Sequence, residues 1–432
     1  MAKLVIIGAG SGFGGRLSVD FLSREPLREA AVIGLCDIDA ESLRRVSAYV
    51  QRTIDAHGLA AEVVASTDHN DVLAGADFVV TSVSVGGGAY WGYPFAHEVN
   101  IPRKYGVDQS VADTIGPGGV FRFLRTAPVQ LAFCRDMERH CPEALLLNHT
   151  NPMAMLTWLH SAGSSIRNVG LCHSVQGTTR QLADTLGVPY EEVSYWVAGI
   201  NHQAWVLSYR HNGRDAYPRL REAMEDPGTF AKDPVRWELM RHFDYFVTES
   251  STHNSEYVPY FRRTRETRDR FGLQTRDVRM AAPARRAWLA DTGVDGEPPV
   301  GELTRSHEFT TGIMEAVVTN TPYTFNGNVM NAGLVTNLPD GCCVEVPCLA
   351  DRQGVHPCHV GDLPAQCAAI NRSNIAVQEL AVRAALDRDR NAAFQAVALD
   401  PLTAAVLPLS EIREMFEEMW AAEKDLLAWL DE

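Results

Sequence analysis

Two short motifs in the middle of the chain end in side chains that can bind a transition-metal ion. One apolar run stops at Cys172 and His173, and a later one stops at Asn201 and His202. Thiolate and imidazole groups suit divalent transition metals. Strands ending in such residues are typical of α/β enzymes, which hold their chemistry beyond the carboxyl ends of the sheet. We therefore predict that the two motifs share one site, with a buried, inert thiol as the alternative for Cys172.

A glycine-rich turn near the start of the chain indicates a dinucleotide cofactor. The apolar run 3–7 is followed by Gly8, Gly10 and Ser11 and then by a helical pattern. This order lets the backbone approach a pyrophosphate and directs a helix N-terminus at its charge. Glycine-rich strand-to-helix turns without a nucleotide also occur, so the turn alone leaves both interpretations open.

Two further apolar runs favour the dinucleotide interpretation. The run 31–36 ends at Asp37, and the run 76–85 opens into the glycines 86–88. A carboxylate at Asp37 can accept hydrogen bonds from the ribose hydroxyls and disfavours a 2′-phosphate, which favours NAD over NADP. A plain helix cap is the alternative role for Asp37.

Two polar residues beside conformationally restricted segments are predicted to contact the substrate. Asp113 precedes Gly116-Pro-Gly-Gly119, which we predict to be a hinge or wall outside any helix. Asn151 precedes Pro152, which holds it out of helical geometry at a strand end. Its amide offers both a donor and an acceptor, so it suits a cofactor ribose or a sugar hydroxyl. Ordinary turns are the alternative for both segments.

Size and charge restrict the class of protein. We predict an α/β fold with a Rossmann NAD-binding domain at 1–195 and a mixed α+β domain at 196–432 for substrate, metal and oligomerisation. The net charge of −15 argues against nucleic acid and anionic membranes as partners. No apolar run approaches about 20 residues, and the first strand starts at Lys3, so we expect no membrane span and no signal peptide. Nine cysteines without C-x-x-C spacing indicate reduced thiols in the cytoplasm.

Longer motifs extend these signals along nearly the whole chain. They are Asp113-Thr-Ile-Gly-Pro-Gly-Gly119, Asn151-Pro-Met153, Cys172-His-Ser-Val-Gln-Gly177, Gly199-Ile-Asn-His202, Thr248-Glu-Ser-Ser251, Glu256-Tyr-Val-Pro-Tyr-Phe261 and Asn337-Leu-Pro-Asp-Gly-Cys-Cys-Val-Glu-Val346. With these motifs in order, the chain resembles glycoside hydrolase family 4, the NAD- and metal-dependent glycosidases. The four residues from Cys172 to Val175 are similar to the α-galactosidase branch, whereas branches acting on phosphosugars carry Asp or Asn in place of His173.

The resemblance implies a fold, two cofactors and a role for each site residue. The implied architecture is like that of lactate and malate dehydrogenases, and the implied cofactors are NAD and a divalent ion, usually Mn²⁺. Cys172 and His202 are implied as metal ligands, Tyr257 as the base and Asn151 as a substrate or cofactor contact. His173 stands where other members carry an Asp thought to protonate the leaving group, which makes it a candidate catalytic residue.

The resemblance also implies a redox-assisted elimination in place of the two-carboxylate mechanism of most glycosidases. NAD⁺ takes a hydride from C3 of the sugar, the resulting ketone acidifies the proton on C2, a base removes that proton, and the glycosidic oxygen leaves C1. Water then adds and the hydride returns. The divalent ion stabilises the enolate as a Lewis acid, and its charge would lower the pKa of Tyr257 from about 10.

The predicted activity is the hydrolysis of unphosphorylated α-galactosides. An α-glucosidase or α-uronidase of the same family remains open, because one loop position can change the choice of sugar. A net NAD-dependent hydroxyacid or sugar dehydrogenase and a catalytically silent NAD-binding sensor are alternatives from other classes. Kinship implies a homodimer or homotetramer.

Overall fold

One mixed β-sheet organises the chain. The computed structural model describes residues 2–86, 92–276, 278 and 300–431. The strands are β1 Lys3–Ile7, β2 Val32–Cys36, β3 Glu62–Ser66, β4 Phe78–Thr81, β5 Leu145–Asn148, β6 Asn168–Gly170, β7 Val193–Ile200, β8 Gln203–His211, β9 Arg214–Asp215, β10 Tyr323–Met330, β11 Cys343–Asp351 and β12 Gly354–Pro357. Among the described residues they form one sheet in the order β3-β2-β1-β4-β5-β6-β10-β11-β7-β8-β9, with β12 paired to β11.

The first six strands are parallel and have the Rossmann order. The chain builds outward from β1 to β3 and then returns to place β4 on the other side of β1. This reversal is the switch point at which such sheets bind ligands. Strand residues such as Leu4, Val80 and Leu147 are fully buried because helices cover both faces. The predicted Rossmann unit is confirmed, while Gly87 and Gly88 of the predicted glycine turn lie outside the described residues.

The second half of the sheet is antiparallel and continues the first without a break. β10 pairs with β6 through Asn328 and Gly170, and β11 joins β10 to β7 through Glu345 and Gly199. The hydrogen-bonded sheet therefore passes from the dinucleotide half into the remainder of the chain. The predicted division between residues 195 and 196 lies inside β7 and stays a prediction.

Helices flank this sheet, and the loops that join strands to helices lie at its carboxyl edge. They are α1 Gly12–Leu22, α2 Glu25–Arg28, α3 Ala40–His57, α4 Asn70–Leu73, α5 Phe95–Lys104, α6 Gly116–His140, α7 Met153–Gly163, α8 Ser174–Leu186, α9 Tyr217–Ala223, α10 Pro227–Lys232, α11 Pro234–Phe243, α12 Ser251–Asn254, α13 Arg265–Arg270, α14 Phe309–Thr319, α15 Ala365–Asp387, α16 Arg390–Leu399, α17 Pro401–Val406, α18 Leu409–Ala422 and α19 Lys424–Leu427. None of the described helices combines the length and apolar character needed to cross a bilayer.

Helix α18 follows its sequence pattern closely. Five of its apolar residues recur at three- and four-residue spacing and are buried, namely Ile412, Met415, Phe416, Met419 and Trp420. An apolar stripe of this width faces the core of a globular protein. The spacing in the sequence alone predicts a core face for this helix, and the structure confirms it.

The segment Gly116-Pro-Gly-Gly119 corrects one prediction. It is not a hinge outside a helix but the first turn of α6. Proline is tolerated there because the first amides of a helix have no intrahelical partner. The glycines allow close packing, since a Cβ on Gly118 would lie 2.8 Å from the Ala112 side chain and one on Gly119 would lie 2.6 Å from the backbone of Thr114. The four residues thus press α6 against the loop that carries Asp113.

Candidate active site

The two predicted metal-binding motifs meet at the carboxyl edge of the sheet. Cys172 follows β6, and His202 lies in the two-residue turn between β7 and β8. The Sγ atom of Cys172 is 3.1 Å from Nε2 of His202. His202 has a backbone φ of +124°, which a residue with a side chain rarely adopts and which is typical of functional sites. The structure therefore brings together the two residues predicted as metal ligands.

Glu249 completes a group of three possible ligand atoms. Its Oε2 lies 3.8 Å from Nε2 of His202, and the atoms offered by Cys172, His202 and Glu249 all lie within 4.8 Å of one another. Burial raises the pKa of the Cys172 thiol, and the charge of Glu249 raises it further. Burial would also raise the pKa of Glu249, but His202 and His253 hold it well below its usual value.

The donor set fits a divalent transition metal. A thiol, an imidazole and an ionised carboxylate combine soft, intermediate and hard donors at one point, as suits ions such as Mn²⁺, Fe²⁺, Co²⁺ or Zn²⁺. The Nδ1 atom of His202 and the hydroxyl of Tyr257 are buried without a hydrogen-bond partner of regular geometry in the protein. Buried polar atoms are ordinarily satisfied, so these two fit a site completed by further ligands or water.

A second group of polar side chains joins this cluster through His253. Its Nε2 lies 3.6 Å from Asp113 and 3.2 Å from the hydroxyl of Thr114, while its Nδ1 lies 3.7 Å from Glu249. Asn151 donates to Asp113 over 3.2 Å. Burial would raise the pKa of Asp113, but the charges of His253 and Arg122 lower it. The two predicted substrate contacts, Asp113 and Asn151, are therefore hydrogen-bonded neighbours of the metal-binding group.

Tyr257 lies against the two histidines of the cluster. Its ring centroid is 6.3 Å from that of His202 and 5.6 Å from that of His253. The side chain is fully buried, and burial together with the charges of Asp113 and Glu249 raises its pKa well above the usual value. Its assignment as a base therefore stays a prediction that depends on a nearby positive charge. Tyr260, the other tyrosine of the motif 256–261 and the alternative candidate for the base, is 49% exposed.

His173 stands apart from this buried group. Its side chain is 73% exposed, and its Nδ1 lies 3.6 Å from Glu308. The hydrogen bond with Glu308 raises the pKa of His173 to about 9. Water screens a pair this exposed, so the pairing contributes little to stability. The predicted catalytic role of His173 stays a prediction.

The glycine turn is packed as a dinucleotide site requires. Gly8 has φ +92°, and a Cβ there would lie 2.1 Å from the Ser82 carbonyl oxygen. The amide of Gly10 donates to Asp37 over 2.8 Å, which joins the turn to the end of β2. Ser11 precedes α1, and its side chain makes no cap hydrogen bond, so no side-chain cap competes with an anion at the start of the helix. All four predicted residues lie together, and their contact with a cofactor stays a prediction.

Two residues of the site were missed from the sequence, although a signal for them exists. Glu249 and His253 precede Tyr257 at steps of four residues, which is the spacing of side chains on one helix face. Glu256 was also missed. Its carboxylate accepts from the amides of Ser110, Val111 and Ala112 and thereby holds the loop that leads to Asp113.

Comparisons with known proteins identify the family of the chain. The sequence model "Family 4 glycosyl hydrolase" matches residues 3–188, and "Family 4 glycosyl hydrolase C-terminal domain" matches residues 197–403. The chain is 40% identical to an α-galactosidase of Bacillus subtilis (strain 168) over the full length of both.

Solved structures agree on the fold. A 6-phospho-β-glucosidase from Thermotoga maritima, solved with manganese, NAD⁺ and glucose-6-phosphate, has a TM-score of 0.80 at 20% identity over 98% of this chain and 99% of its own. A malate dehydrogenase from Plasmodium falciparum has a TM-score of 0.56 at 15% identity, over 90% of this chain and 99% of its own. The predicted dehydrogenase-like α/β architecture is confirmed. With both halves matched, the chain belongs to family 4 of the glycosyl hydrolases.

Proposed function

We propose that the protein is an NAD- and divalent-metal-dependent α-galactosidase that hydrolyses unphosphorylated α-galactosides. The observation that carries the proposal is the 3.1 Å approach of the Cys172 thiol to His202, with Glu249, Asp113 and Tyr257 around it, beside a glycine turn of Rossmann geometry. Full-length identity of 40% to an α-galactosidase supports the same activity.

The site residues divide between the two cofactors. Cys172 and His202 would hold the divalent ion, with Mn²⁺ the favoured metal, and Gly8, Gly10, Ser11 and Asp37 would hold NAD. When bound, the dinucleotide supplies a reversible acceptor for the C3 hydride, and the ion supplies a Lewis acid for the sugar oxygens. The remaining steps belong to side chains of this chain.

Tyr257 is the proposed base for the proton on C2. Oxidation of C3 to a ketone acidifies that proton, and its removal lets the glycosidic oxygen leave C1 before water adds and C3 is reduced again. The Tyr257 oxygen has no hydrogen-bond partner of regular geometry in the protein, and the nearby Thr114 side chain favours its ionised form, so the phenolate would be available to take the C2 proton. The raised pKa of Tyr257 must fall for this role, which a divalent cation among the neighbouring ligands would achieve.

Asp113, Asn151 and His173 are the proposed contacts for the sugar and its leaving group. Asp113 and Asn151 would orient hydroxyls, because a carboxylate accepts hydrogen bonds and an amide both donates and accepts them. His173, exposed beside Cys172, is the candidate for protonating the leaving oxygen, directly or through water.

Charge around the site favours a neutral sugar. Asp113, Glu249 and Glu308 each already lie beside a histidine, so these contacts leave no unpaired cation assigned to the extra negative charge of a uronide or a 6-phosphate. An uncharged galactoside needs no such cation, whereas an α-glucoside differs from it in shape alone and remains the closest competing substrate.

A net dehydrogenase with the same Rossmann half is the second candidate, because the fold is shared with malate dehydrogenase. The two differ in their use of NAD. A dehydrogenase forms NADH in proportion to product, whereas the proposed hydrolase needs only a trace of NAD⁺ and accumulates no NADH.

We further propose that the enzyme works in the cytoplasm as a homodimer or homotetramer. All nine cysteines are free thiols, and a thiol ligand requires a reducing compartment. Light scattering coupled to size-exclusion chromatography would measure the assembly.

The test is the release of p-nitrophenol from p-nitrophenyl α-galactoside, with and without NAD⁺, Mn²⁺ and reductant. We expect activity only when all three are present, and lower activity on the α-glucoside, α-galacturonide and 6-phosphate analogues. Solvent deuterium should appear at C2 of the product. Full activity without NAD⁺, or a product without deuterium, would contradict the proposed mechanism.

A further inference from the structure

Five side chains form a continuous chain of contacts from the metal-binding thiol to the predicted substrate loop. In order they are Cys172, His202, Glu249, His253 and Asp113. On the proposed function, only Cys172 and His202 of these hold the ion. We propose that Glu249 is a third protein ligand of the divalent ion and that His253 is the residue that positions it. The inference rests on the proposed metal dependence.

The two oxygens of Glu249 face different partners. Oε2 is 3.8 Å from Nε2 of His202, which is also the atom that approaches Cys172, whereas Oε1 is 3.7 Å from Nδ1 of His253. Oε2 is thus directed to the point where the Cys172 sulfur and the His202 imidazole converge, and Oε1 is held by His253. Ligand carboxylates in metal sites are commonly held by such outer contacts.

The backbone holds Glu249 in this place against its own preference. Its φ of +74° lies in the left-handed region, as does the +124° of His202. Non-glycine residues keep such conformations only where the surroundings impose them, and they concentrate at functional sites.

Hydrogen bonds between the segment that carries Glu249 and the turn that carries His202 supply that restraint. Thr248 donates its amide to Ala204 over 2.9 Å, and its hydroxyl accepts from the amide of Ala204 over 3.1 Å. The Asn254 amide group donates to the carbonyl oxygens of both His202 and Thr248, over 2.8 and 3.3 Å. The turn that carries His202 and the segment that carries Glu249 are therefore fixed to each other.

A third ligand also suits the charge and the open positions of the site. A thiolate and a carboxylate together balance a divalent cation, and imidazole binds without adding charge. Catalytic metal sites commonly keep three protein ligands and leave the remaining positions to substrate and water. His253 extends the restraint, because its other nitrogen faces Asp113 and the hydroxyl of Thr114.

Metal binding of the full chain tests the proposal without reference to activity. Free Mn²⁺ is followed by electron paramagnetic resonance during titration of wild type, Glu249→Gln, Cys172→Ser and Glu192→Gln. Glu192 is the matched control, because it pairs with His211 at the other end of the β7–β8 hairpin over 2.7 Å. We expect Glu249→Gln to weaken Mn²⁺ binding by about 10- to 100-fold and Glu192→Gln to leave it unchanged.

The spectrum of the Co²⁺-loaded protein separates a ligand from a structural residue. Glu249→Gln should change the d–d bands and keep the sulfur-to-cobalt charge-transfer band, which Cys172→Ser should remove. His253→Asn should weaken binding by less than Glu249→Gln and leave the d–d bands at their wild-type positions, as expected for a positioning residue. If Glu249→Gln fails to fold, Glu249→Asp replaces it. This variant keeps the negative charge on a side chain that is one methylene shorter, and it too should bind Mn²⁺ more weakly than the wild type.

Two outcomes distinguish this proposal from the proposed function. The first outcome is a Glu249→Gln variant whose Mn²⁺ affinity and Co²⁺ bands match those of the wild type. If only Glu249→Asp folds, the same comparison is made with that variant. Either match would overturn the proposal that Glu249 is a third metal ligand and would leave the enzyme assignment intact. Unchanged Mn²⁺ affinity in Cys172→Ser would instead remove the metal site, and with it the proposed function.

Discussion

The glycine turn and the metal-binding cluster occupy the same edge of the sheet but are built in different ways. Gly8, Gly10 and Ser11 are consecutive in the chain apart from Ala9, and one distant residue, Asp37, completes the group. The metal-binding cluster is assembled from five separate segments of the chain, which carry Asp113, Asn151, Cys172, His202 and the residues 249–257. The turn depends on local backbone shape, whereas the cluster depends on the tertiary structure that brings its segments together.

The two sites also attract opposite charges. The turn offers backbone amides and the N-terminus of α1 to an anion. The cluster collects a thiol and ionised carboxylates and therefore selects a cation. We infer that each site can be damaged without the other, and the variants below test that separation, from the largest expected effect to the smallest.

Cys172→Ser should abolish activity, with a loss on the order of 10⁴-fold, because on the proposed mechanism the divalent ion would lose its thiolate ligand and would no longer stabilise the enolate. NAD⁺ affinity should remain that of the wild type, since the glycine turn shares no residue with the cluster. Calorimetric titration with NAD⁺ and Mn²⁺ measures both.

Cys134→Ser is the matched control for this variant. Cys134 is a fully buried thiol in α6, and its replacement should change neither titration. Joint loss of both affinities in Cys172→Ser would show that the two sites are coupled.

Tyr257→Phe should reduce kcat by about 10²- to 10³-fold, within the range for loss of a general base. The Tyr257 hydroxyl makes no hydrogen bond of regular geometry in the protein, so its removal should leave the fold and Mn²⁺ affinity intact. The rate of deuterium incorporation at C2 should fall together with kcat.

Tyr260→Phe, at the exposed tyrosine three residues on, should behave as wild type. Activity that falls in Tyr260→Phe and not in Tyr257→Phe would exchange the roles assigned to the two residues.

The difference between the two sites explains what the sequence could predict. Gly8, Gly10 and Asp37 are recognisable because strand, turn and acidic residue follow one another at fixed spacing. Cys172 and His202 could be paired because both follow apolar strands. Glu249 has no such strand before it, and its proximity to His202 results from the bonds of Thr248 and Asn254, which no sequence spacing encodes.

The same distinction applies to the fold. Successive apolar runs followed by glycines or an acidic residue predict the Rossmann half. The spacing of Met415 and Trp420 predicts which face of α18 packs on the core. The sequence of Gly116-Pro-Gly-Gly119 predicts a segment outside any helix. The structure differs because these glycines permit the close approach of Ala112 and Thr114, a tertiary contact that the sequence does not show.

Asp37→Asn should weaken NAD⁺ binding by about 10- to 100-fold, as expected for the loss of hydrogen bonds to a charged acceptor. The same variant should narrow the preference for NAD⁺ over NADP⁺, because the repulsion of a 2′-phosphate disappears. Mn²⁺ affinity should not change. Asp39→Asn, which changes the residue whose side chain caps α3, is the control. A wild-type affinity for both dinucleotides in Asp37→Asn would leave Asp37 with no role beyond its contact with Gly10.

Helix α7 packs beside the metal-binding cluster, and its buried histidine predicts a pH effect that comes from neither site. α7 begins just after Asn151, and its Met153 and Thr157 pack under Gly170, two residues before Cys172. His160 is fully buried, and burial lowers its pKa from 6.5 to about 3. Between these values the unfolded chain binds a proton that the folded chain does not, so stability is complete above pH 6.5 and falls as the pH drops toward 3.

At pH 4.5 the loss attributable to His160 is about 2–3 kcal/mol, from two pH units at about 1.4 kcal/mol each. Urea unfolding at pH 7 and pH 4.5 should therefore show a smaller difference in His160→Gln than in wild type, because glutamine does not titrate. His140→Gln, at the exposed end of α6, should retain the full difference. Since His160 contacts Gln130 and lies in neither site, NAD⁺ and Mn²⁺ affinities at pH 7 should be those of the wild type in both variants. A weaker affinity for both cofactors in His160→Gln would show that the two sites, separate in their residues, share the packing of α7 as a common support.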